Sequence, residues 1–146
     1  MKLGALVLCA ALAASAANAQ PAVAAAPCPA NGREMPVEAL YGNWELRLEG
    51  LPGIAHVRLE NHPDYAGVRG TVRREGGANR VTTAQLAGDI DDDGLLSIDE
   101  SNDGRSISGV WLGELQPDSC GKEFKGTWRN ALDDSTRPFI LNKTGR

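Results

Sequence analysis

The chain has 146 residues, which suffices for one hydrophobic core, and its 19 acidic and 15 basic residues give a net charge of −4. This acidic balance argues against general binding to nucleic acids or to anionic membranes. The sequence contains no internal repeat, so we expect a single domain.

Residues 1–19 are typical of a secretory signal peptide. Lys2 precedes an apolar run that extends to about Ser15, and Ala17 with Ala19 forms an Ala-x-Ala cleavage site. The run is shorter than the roughly 18 to 20 residues of a membrane-spanning helix. Cleavage would remove Lys2, so 15 basic residues become 14 and the net charge changes from −4 to −5. We expect a periplasmic or secreted protein with no membrane insertion after cleavage.

Two cysteines, Cys28 and Cys120, follow the signal peptide. An oxidising compartment makes a disulfide between them the expected state. The bridge would close a loop of about 90 residues and stabilise the fold by roughly 4 kcal/mol in the chain-entropy model. Cys28 lies between prolines with no histidine nearby, which favours a structural role over a catalytic or metal-binding thiol.

Residues 20–36 are rich in alanine and proline and show no periodicity, which predicts a flexible or extended N-terminal arm. If the disulfide forms, Cys28 ties this arm to the body of the protein. The single domain is then expected at 37–146. Its only candidate helix is a short segment near residues 37–41.

From Gly42 onward apolar and polar residues alternate with period two, and turn residues recur at short intervals. This pattern predicts about eight strands, at 44–48, 55–59, 68–73, 80–87, 96–98, 106–115, 122–129 and 139–141. Expected inward residues include Trp44, Leu46, Leu48, Ala55, Val57, Leu59, Val68, Gly70, Val72, Leu96, Ile98, Ile107, Gly109, Trp111, Gly113, Phe124, Gly126 and Trp128.

Short, numerous strands in simple order favour an all-β fold, a compact antiparallel up-and-down barrel, since closure removes exposed strand edges. A small β-sandwich is the alternative. Glycines at inward positions suit strands that bend sharply or approach closely in a narrow barrel. Trp44, Trp111 and Trp128 are expected to form the structural core, although a ligand-binding barrel would also line its cavity with such rings.

The acidic run at 89–100, DIDDDGLLSIDE, places Asp89, Asp91, Asp93 and Glu100 at ligand positions of a calcium-binding EF-hand loop. The flanks oppose an EF-hand, because β-branched residues precede the run and Ser-Asn-Asp-Gly follows it, where a helix should begin. A calcium-supported hairpin is possible on ligand count. The simpler interpretation is a hairpin turn with solvated carboxylates, and we expect no metal or other cofactor.

The remaining charged residues match no catalytic or metal-binding motif. Arg69, Arg73, Arg74 and Arg80 cluster on the third strand and its turn, either as an ordinary charged face or as a patch for an acidic partner. The only histidines, His56 and His62, have neither the spacing of a zinc site nor a nucleophile motif beside them. We therefore predict no catalytic residues and a protein that is not an enzyme.

The opening Gly42-Asn43-Trp44, followed by the eight-strand meander, resembles the calycin group of small barrels, which includes lipocalins and a bacterial periplasmic family of metalloprotease inhibitors. In lipocalins a late arginine covers the ring of such a tryptophan, and the resemblance assigns this part to Arg129 or Arg137. The inhibitors have an exposed N-terminal arm that enters the protease cleft. Their disulfide closes a short loop, whereas the two cysteines here lie far apart.

The sequence thus predicts an exported, non-catalytic binding protein whose partner is a protein of the cell envelope. It is interpreted as an inhibitor-like module for an envelope or foreign hydrolase, with the arm and the exposed turns as the contact surface. The alternatives are a small-molecule carrier barrel and a calcium-stabilised envelope protein that uses the acidic hairpin.

Overall fold

A computed structural model describes residues 20–22, 24 and 27–146 of the chain. The predicted signal peptide, 1–19, lies outside the described residues. Eight antiparallel strands form a closed barrel in which each strand pairs with its neighbours in sequence and β8 pairs with β1. The strands are β1 (Gly42–Leu48), β2 (Ala55–Asn61), β3 (Val68–Glu75), β4 (Val81–Ile90), β5 (Leu95–Ser101), β6 (Gly109–Leu115), β7 (Glu123–Asn130) and β8 (Thr136–Gly145). The predicted all-β up-and-down barrel is confirmed.

Alternation of side chains builds the core. In β1 the inward residues Trp44, Leu46 and Leu48 are buried while the residues between them reach solvent, and β2 and β3 repeat this pattern. The inward side chains of all eight strands join in one apolar cluster. The barrel is therefore filled by its own side chains along most of its length.

The prediction was wrong in detail for β6. The strand begins at Gly109 rather than at residue 106, and Ile107, expected inside, is 51% exposed. The cause is Asp103, whose Oδ1 accepts hydrogen bonds from the backbone N–H groups of Arg105 and Ser106. These bonds hold the chain in a loop where period two alone predicted a strand.

The two ends of the barrel differ. At the open end, four connections join the strands, at 49–54, 76–80, 102–108 and 131–135. At the closed end, the segment that precedes β1 crosses the barrel in two short 3-10 helices, Gly32–Glu34 and Val37–Leu40. No helix among the described residues is long and apolar enough to cross a bilayer.

The part of the predicted arm nearest the barrel packs on the closed end. Met35 and Leu40 are buried in the core, and Leu40 O accepts a hydrogen bond of 2.8 Å from Trp44 Nε1. Gly32 lies so close to Gly94, in the β4–β5 turn, that a Cβ atom would collide with the backbone there. Residues 28–40 thus close one end of the barrel, whereas Gln20 to Ala22, Ala24 and Pro27 are exposed.

The cysteines Cys28 and Cys120 form a disulfide across 92 residues, as the sequence predicted. Cys120 lies in the β6–β7 connection, so the bond fastens the closing segment to the barrel body. A disulfide of this kind indicates an oxidising, non-cytosolic compartment.

The tryptophan of the Gly-x-Trp opening is covered by a cation other than the expected one. Lys143 Nζ lies 5.3 Å from the ring centroid of Trp44 and donates to Ala39 O. Arg129 and Arg137 cannot take this part, because they lie on β7 and β8 near the open end, at the opposite side of the core. The assignment to Arg129 or Arg137 was wrong.

Removal of the disulfide should destabilise the barrel without changing its topology. We expect the Cys28→Ser/Cys120→Ser variant to lose about 4 kcal/mol of unfolding free energy, because the unfolded chain regains the freedom of a 92-residue loop. Denaturant unfolding of both proteins measures the difference. An unchanged midpoint and slope would show that the 3-10 helices hold the closed end without the bond.

Candidate functional site

A carboxylate lies inside the barrel, close to its open end. Glu100 on β5 is 2% exposed, and it is the one buried charged residue in the described part of the chain. It follows Leu96 and Ile98 at inward positions, so the period of the strand directs it into the core. An unpaired charge at such a place would be strongly destabilising, which makes its partners decisive.

Four N–H groups meet this carboxylate. Arg74, from β3, donates to Oε1 through Nη1 at 2.6 Å and to Oε2 through Nη2 at 2.8 Å. Oε2 also accepts bonds from the indoles of Trp111 at 2.8 Å and Trp128 at 3.2 Å. We call Glu100, Arg74, Trp111 and Trp128 the Glu100 cluster. It links β3, β5, β6 and β7, and no buried side-chain nitrogen or oxygen among the described residues lacks a hydrogen bond.

Gly109 gives Trp128 the room to reach the cluster. A Cβ atom on Gly109 would collide with the pyrrole side of the Trp128 ring at Nε1. Gly109 also pairs with Glu100 across β5 and β6, so it lies directly beside the residue whose carboxylate accepts the Trp128 hydrogen bond. The sequence prediction that inward glycines allow close approach holds at this position.

The sequence interpretation missed this ion pair, although the signal was present. Arg74 continues the inward series Val68, Gly70 and Val72, and Glu100 continues the series of Leu96 and Ile98. Two opposite charges in the inward phase of two strands point to a buried pair. By local spacing alone, Glu100 is a candidate calcium ligand and Arg74 belongs to a charged outer face, and neither pattern indicates the pair.

The cluster is suited to fixing structure. Each carboxylate oxygen is occupied by N–H donors, and the bidentate guanidinium balances the charge. Both indole N–H groups, which are costly to bury without partners, are satisfied by the same carboxylate. The cluster therefore forms a rigid polar floor beneath the open end.

The acidic run does not converge on one point. Asp91 to Gly94 form the turn between β4 and β5, and Asp91 Oδ1 accepts bonds from the N–H groups of Asp93 and Leu95. Asp93 pairs with Arg33 of the closing segment at 3.3 Å, whereas Asp89 lies on β4 and Glu100 lies inside the barrel. Within the described residues, no three histidine, cysteine or acidic side chains gather as a metal site. The run therefore comprises the end of β4, the hairpin turn and most of β5.

An apolar groove opens beside the Glu100 cluster. It has a volume of about 310 Å³ and lies at the mouth of the barrel, where Arg74 forms part of its wall. We call it the mouth groove. Its apolar lining comes from β1, the β1–β2 connection and the start of β2: Leu46, Leu48, Leu51, Pro52, Ile54 and Ala55. Arg74 thus belongs both to the buried cluster and to the exposed groove.

Exposed apolar side chains surround the same end. Leu51, Ile107 and Leu132 lie in three of the four open-end connections, and Val81 directly follows the fourth. Their exposed fractions are 44%, 51%, 91% and 47%. Scattered exposed apolar residues are ordinary on proteins, but four of them lie at this one end, in or directly after its four connections, and we call these four the apolar rim.

Side-chain hydrogen bonds stabilise two of the four connections at this end, 102–108 and 131–135. Asp103 accepts bonds within the loop that holds Ile107, and Asn130 Oδ1 accepts a bond of 2.8 Å from Leu132 N. Asp133 caps the same connection by accepting from Ser135 N. These bonds order the two loops that carry Ile107 and Leu132, which lowers the entropic cost of binding there.

The other candidate residues from the sequence do not form a site. Arg69 pairs with Glu60, and Arg73 pairs with Glu75, both as exposed surface pairs. His62 Nδ1 accepts a bond from Asp64 N, and its ring stacks on Tyr65 at 4.0 Å. These contacts support a charged outer face on β3 and a structural part for His62.

No protein-family model matches the chain, and no curated protein matches it.

Neutralising the buried carboxylate should destabilise the barrel. In Glu100→Gln the amide NH2 faces N–H donors and the Arg74 guanidinium loses its counter-charge, so we expect a loss of about 3 kcal/mol. The control Glu75→Gln removes an exposed partner of Arg73 and should cost less than about 1 kcal/mol. Urea unfolding measures both. Equal effects of the two substitutions would contradict the structural part assigned to Glu100.

The β5–β6 connection should loosen in acid. Hydrogen bonds from Ser106 and Arg105 lower the pKa of Asp103 below its ordinary value of 3.8. Since the pKa is lower in the folded state, the stabilisation is present above pH 3.8 and is lost as the pH falls toward the folded-state pKa. Amide exchange at Arg105 and Ser106 should accelerate in that range and, in Asp103→Asn, should already be fast at neutral pH. Exchange independent of both changes would contradict this account.

Proposed function

We propose that the protein is an exported, non-catalytic binding module that engages a protein partner through its open end. The main support for this proposal is that the mouth groove and the four exposed residues of the apolar rim lie at the same end of the barrel. The Glu100 cluster lies beside the groove, and its hydrogen bonds link four of the strands that carry the open-end connections. Binding residues are commonly found on such loops, positioned by a rigid scaffold.

The occupant that this surface fits is an apolar side chain or short apolar segment of another protein. A groove of about 310 Å³ is at the small end of the range for ligand pockets, and the inward side chains of the described strands pack into one apolar cluster. The rim residues, by contrast, lie in or directly after all four connections of this end and would contact a broad surface. Apolar anchors in a pocket with surrounding contacts are typical of protein interfaces. A protein partner is therefore favoured over a small-molecule cargo.

The class of partner follows from the compartment and from the fold. The disulfide supports an oxidising location, and the N-terminal sequence supports export to the periplasm or beyond. An eight-stranded barrel with a Gly-x-Trp opening is consistent with the calycin group and its periplasmic protease inhibitors. On this basis we propose an envelope or foreign hydrolase as the partner.

Binding should depend on Leu51. Leu51→Asp places a charge in the mouth groove, so we expect capture of the partner from an envelope extract to weaken about tenfold or more. The matched control is Leu112→Asp on the outer wall of β6, because Leu112 is 47% exposed and Leu51 is 44% exposed. The measurement is titrated capture on immobilised protein, with mass spectrometry to identify the protein whose capture depends on Leu51.

A second variant guards against a folding defect at position 51. Leu132 is 91% exposed, so Leu132→Asp cannot disturb the core, and it should also weaken capture. Equal capture by Leu51→Asp, Leu132→Asp and wild type would overturn the open-end surface. The captured protein should lose hydrolytic activity when the wild-type barrel is added, and full activity at saturation would overturn the inhibitor assignment.

The N-terminal arm is tested separately. Deletion of 20–36 would remove Cys28, Gly32 and Met35, which close the barrel, and would confuse binding with folding. Deletion of 20–27 leaves those residues in place. We expect this variant to retain capture; loss of capture here, with retention in Leu51→Asp, would transfer the contact surface from the open end to the arm.

A further inference from the structure

A second cleft lies at the closed end, on the opposite side of the molecule from the mouth groove. Its volume is about 890 Å³, and it forms where the chain enters β1 between the last residues of β2 and β8. The second 3-10 helix forms one wall, and the β6–β7 connection forms another. A cleft of this size falls in the usual range for small-molecule sites.

The cleft carries an excess of positive charge, although the whole chain is acidic. Its lining includes four cationic residues, Arg58, Lys122, Lys143 and Arg146. Among the residues that the structure describes, none of these four forms an ion pair, whereas five other arginines and Lys125 do. Four cations without carboxylate partners in one cleft favour an anionic ligand.

Two acidic residues also line the cleft, and they do not cancel this charge. Glu60 is already paired with Arg69 at 3.0 Å on the outer surface of β2 and β3. Glu38 lies on the second 3-10 helix with an exposed side chain. With both side-chain carboxylates and the α-carboxylate of Arg146 counted, the lining carries four positive charges against three negative ones.

Lys143 is held in position by the protein itself. Its ammonium donates to Ala39 O at 2.5 Å and lies over the Trp44 ring, which leaves two N–H donors for a ligand. Lys122 is its neighbour, because Lys143 N donates to Lys122 O at 2.9 Å. Burial lowers the pKa of Lys143, and the positive charges of Arg146 and Lys122 lower it further. The three cations therefore lie close enough to repel one another.

We propose that this cleft binds the phosphate group of a small anionic molecule between Lys122, Lys143 and Arg146. A phosphate dianion can engage several cations at once, whereas one carboxylate is neutralised by a single cation. Bound phosphate would relieve the mutual repulsion of the three side chains. The restrained Lys143 ammonium serves as the fixed point, and the more exposed Lys122 and Arg146 close on the ligand.

The test is a titration of the full mature protein with inorganic phosphate, followed by amide NMR at constant ionic strength with chloride as the balancing anion. We expect saturable shifts at residues 121–123 and 143–146, with a dissociation constant of about 1 mM or tighter. The variant Lys122→Gln/Arg146→Gln should bind about tenfold more weakly, because two exposed charges are lost. Acetate at the same concentration should give no saturable shift.

The matched control is Arg80→Gln/Arg105→Gln, which removes the same charge from the open end. It should change phosphate affinity by less than about twofold, because Arg80 and Arg105 lie at the opposite end of the barrel and do not line the cleft, and salt screens distant exposed charges. Several outcomes would overturn the proposal: no saturation, equal shifts with acetate, unchanged affinity in Lys122→Gln/Arg146→Gln, or equal losses in both double variants. Capture at the open end has no bearing on any of these results.

Discussion

The buried carboxylate of Glu100 determines how β3, β5, β6 and β7 are placed near the open end of the barrel. Burial of this charge is tolerable only because Arg74 balances it and because two indole N–H groups complete its hydrogen bonds. The partners come from three other strands. Each strand must therefore be placed in one register, since a shift by one residue would direct Arg74 or Glu100 to solvent. A polar cluster specifies this end of an otherwise apolar core.

The opposite end is specified by different means. There the chain closes the barrel with its own N-terminal segment, through the disulfide, two buried apolar side chains and the bond from Trp44 to Leu40. Lys143 then joins that segment to the last strand. Because both ends are fixed, the surfaces available for recognition are loops and clefts on a rigid frame, and the two proposed sites lie at opposite ends of that frame.

Most of the fold could be predicted from period two and turn chemistry. The alternation in β1 to β3, the Asp-Gly hairpin after β4 and the inward glycines each have a local cause that the sequence displays. The exposed position of Ile107 was not predicted, because the Asp103 carboxylate accepts backbone hydrogen bonds from Arg105 and Ser106 and holds the chain in a loop. The cation over Trp44 was not predicted correctly either. The closure of the barrel between β1 and β8 decides which of the late basic residues reaches the ring.

The candidate sites were less predictable, for a physical reason. The Glu100–Arg74 pair joins residues 26 positions apart that do not lie on adjacent strands, so it becomes visible only when the inward phase of both strands is read together. The apolar rim combines residues from three separate connections and from the start of β4, and no local pattern links them. The EF-hand spacing, in contrast, was visible locally and misleading. Spacing alone does not show that Asp89 lies on β4 and that Glu100 points into the barrel from β5.

We propose that the partner covers the apolar open end. Amide hydrogen exchange compares the free protein with the complex recovered on the wild-type barrel. We expect added protection confined to 49–54, 76–82, 102–108 and 131–135, with the strands around Glu100 already protected in the free protein. Protection confined to the closed end or to the outer wall of the barrel would contradict it.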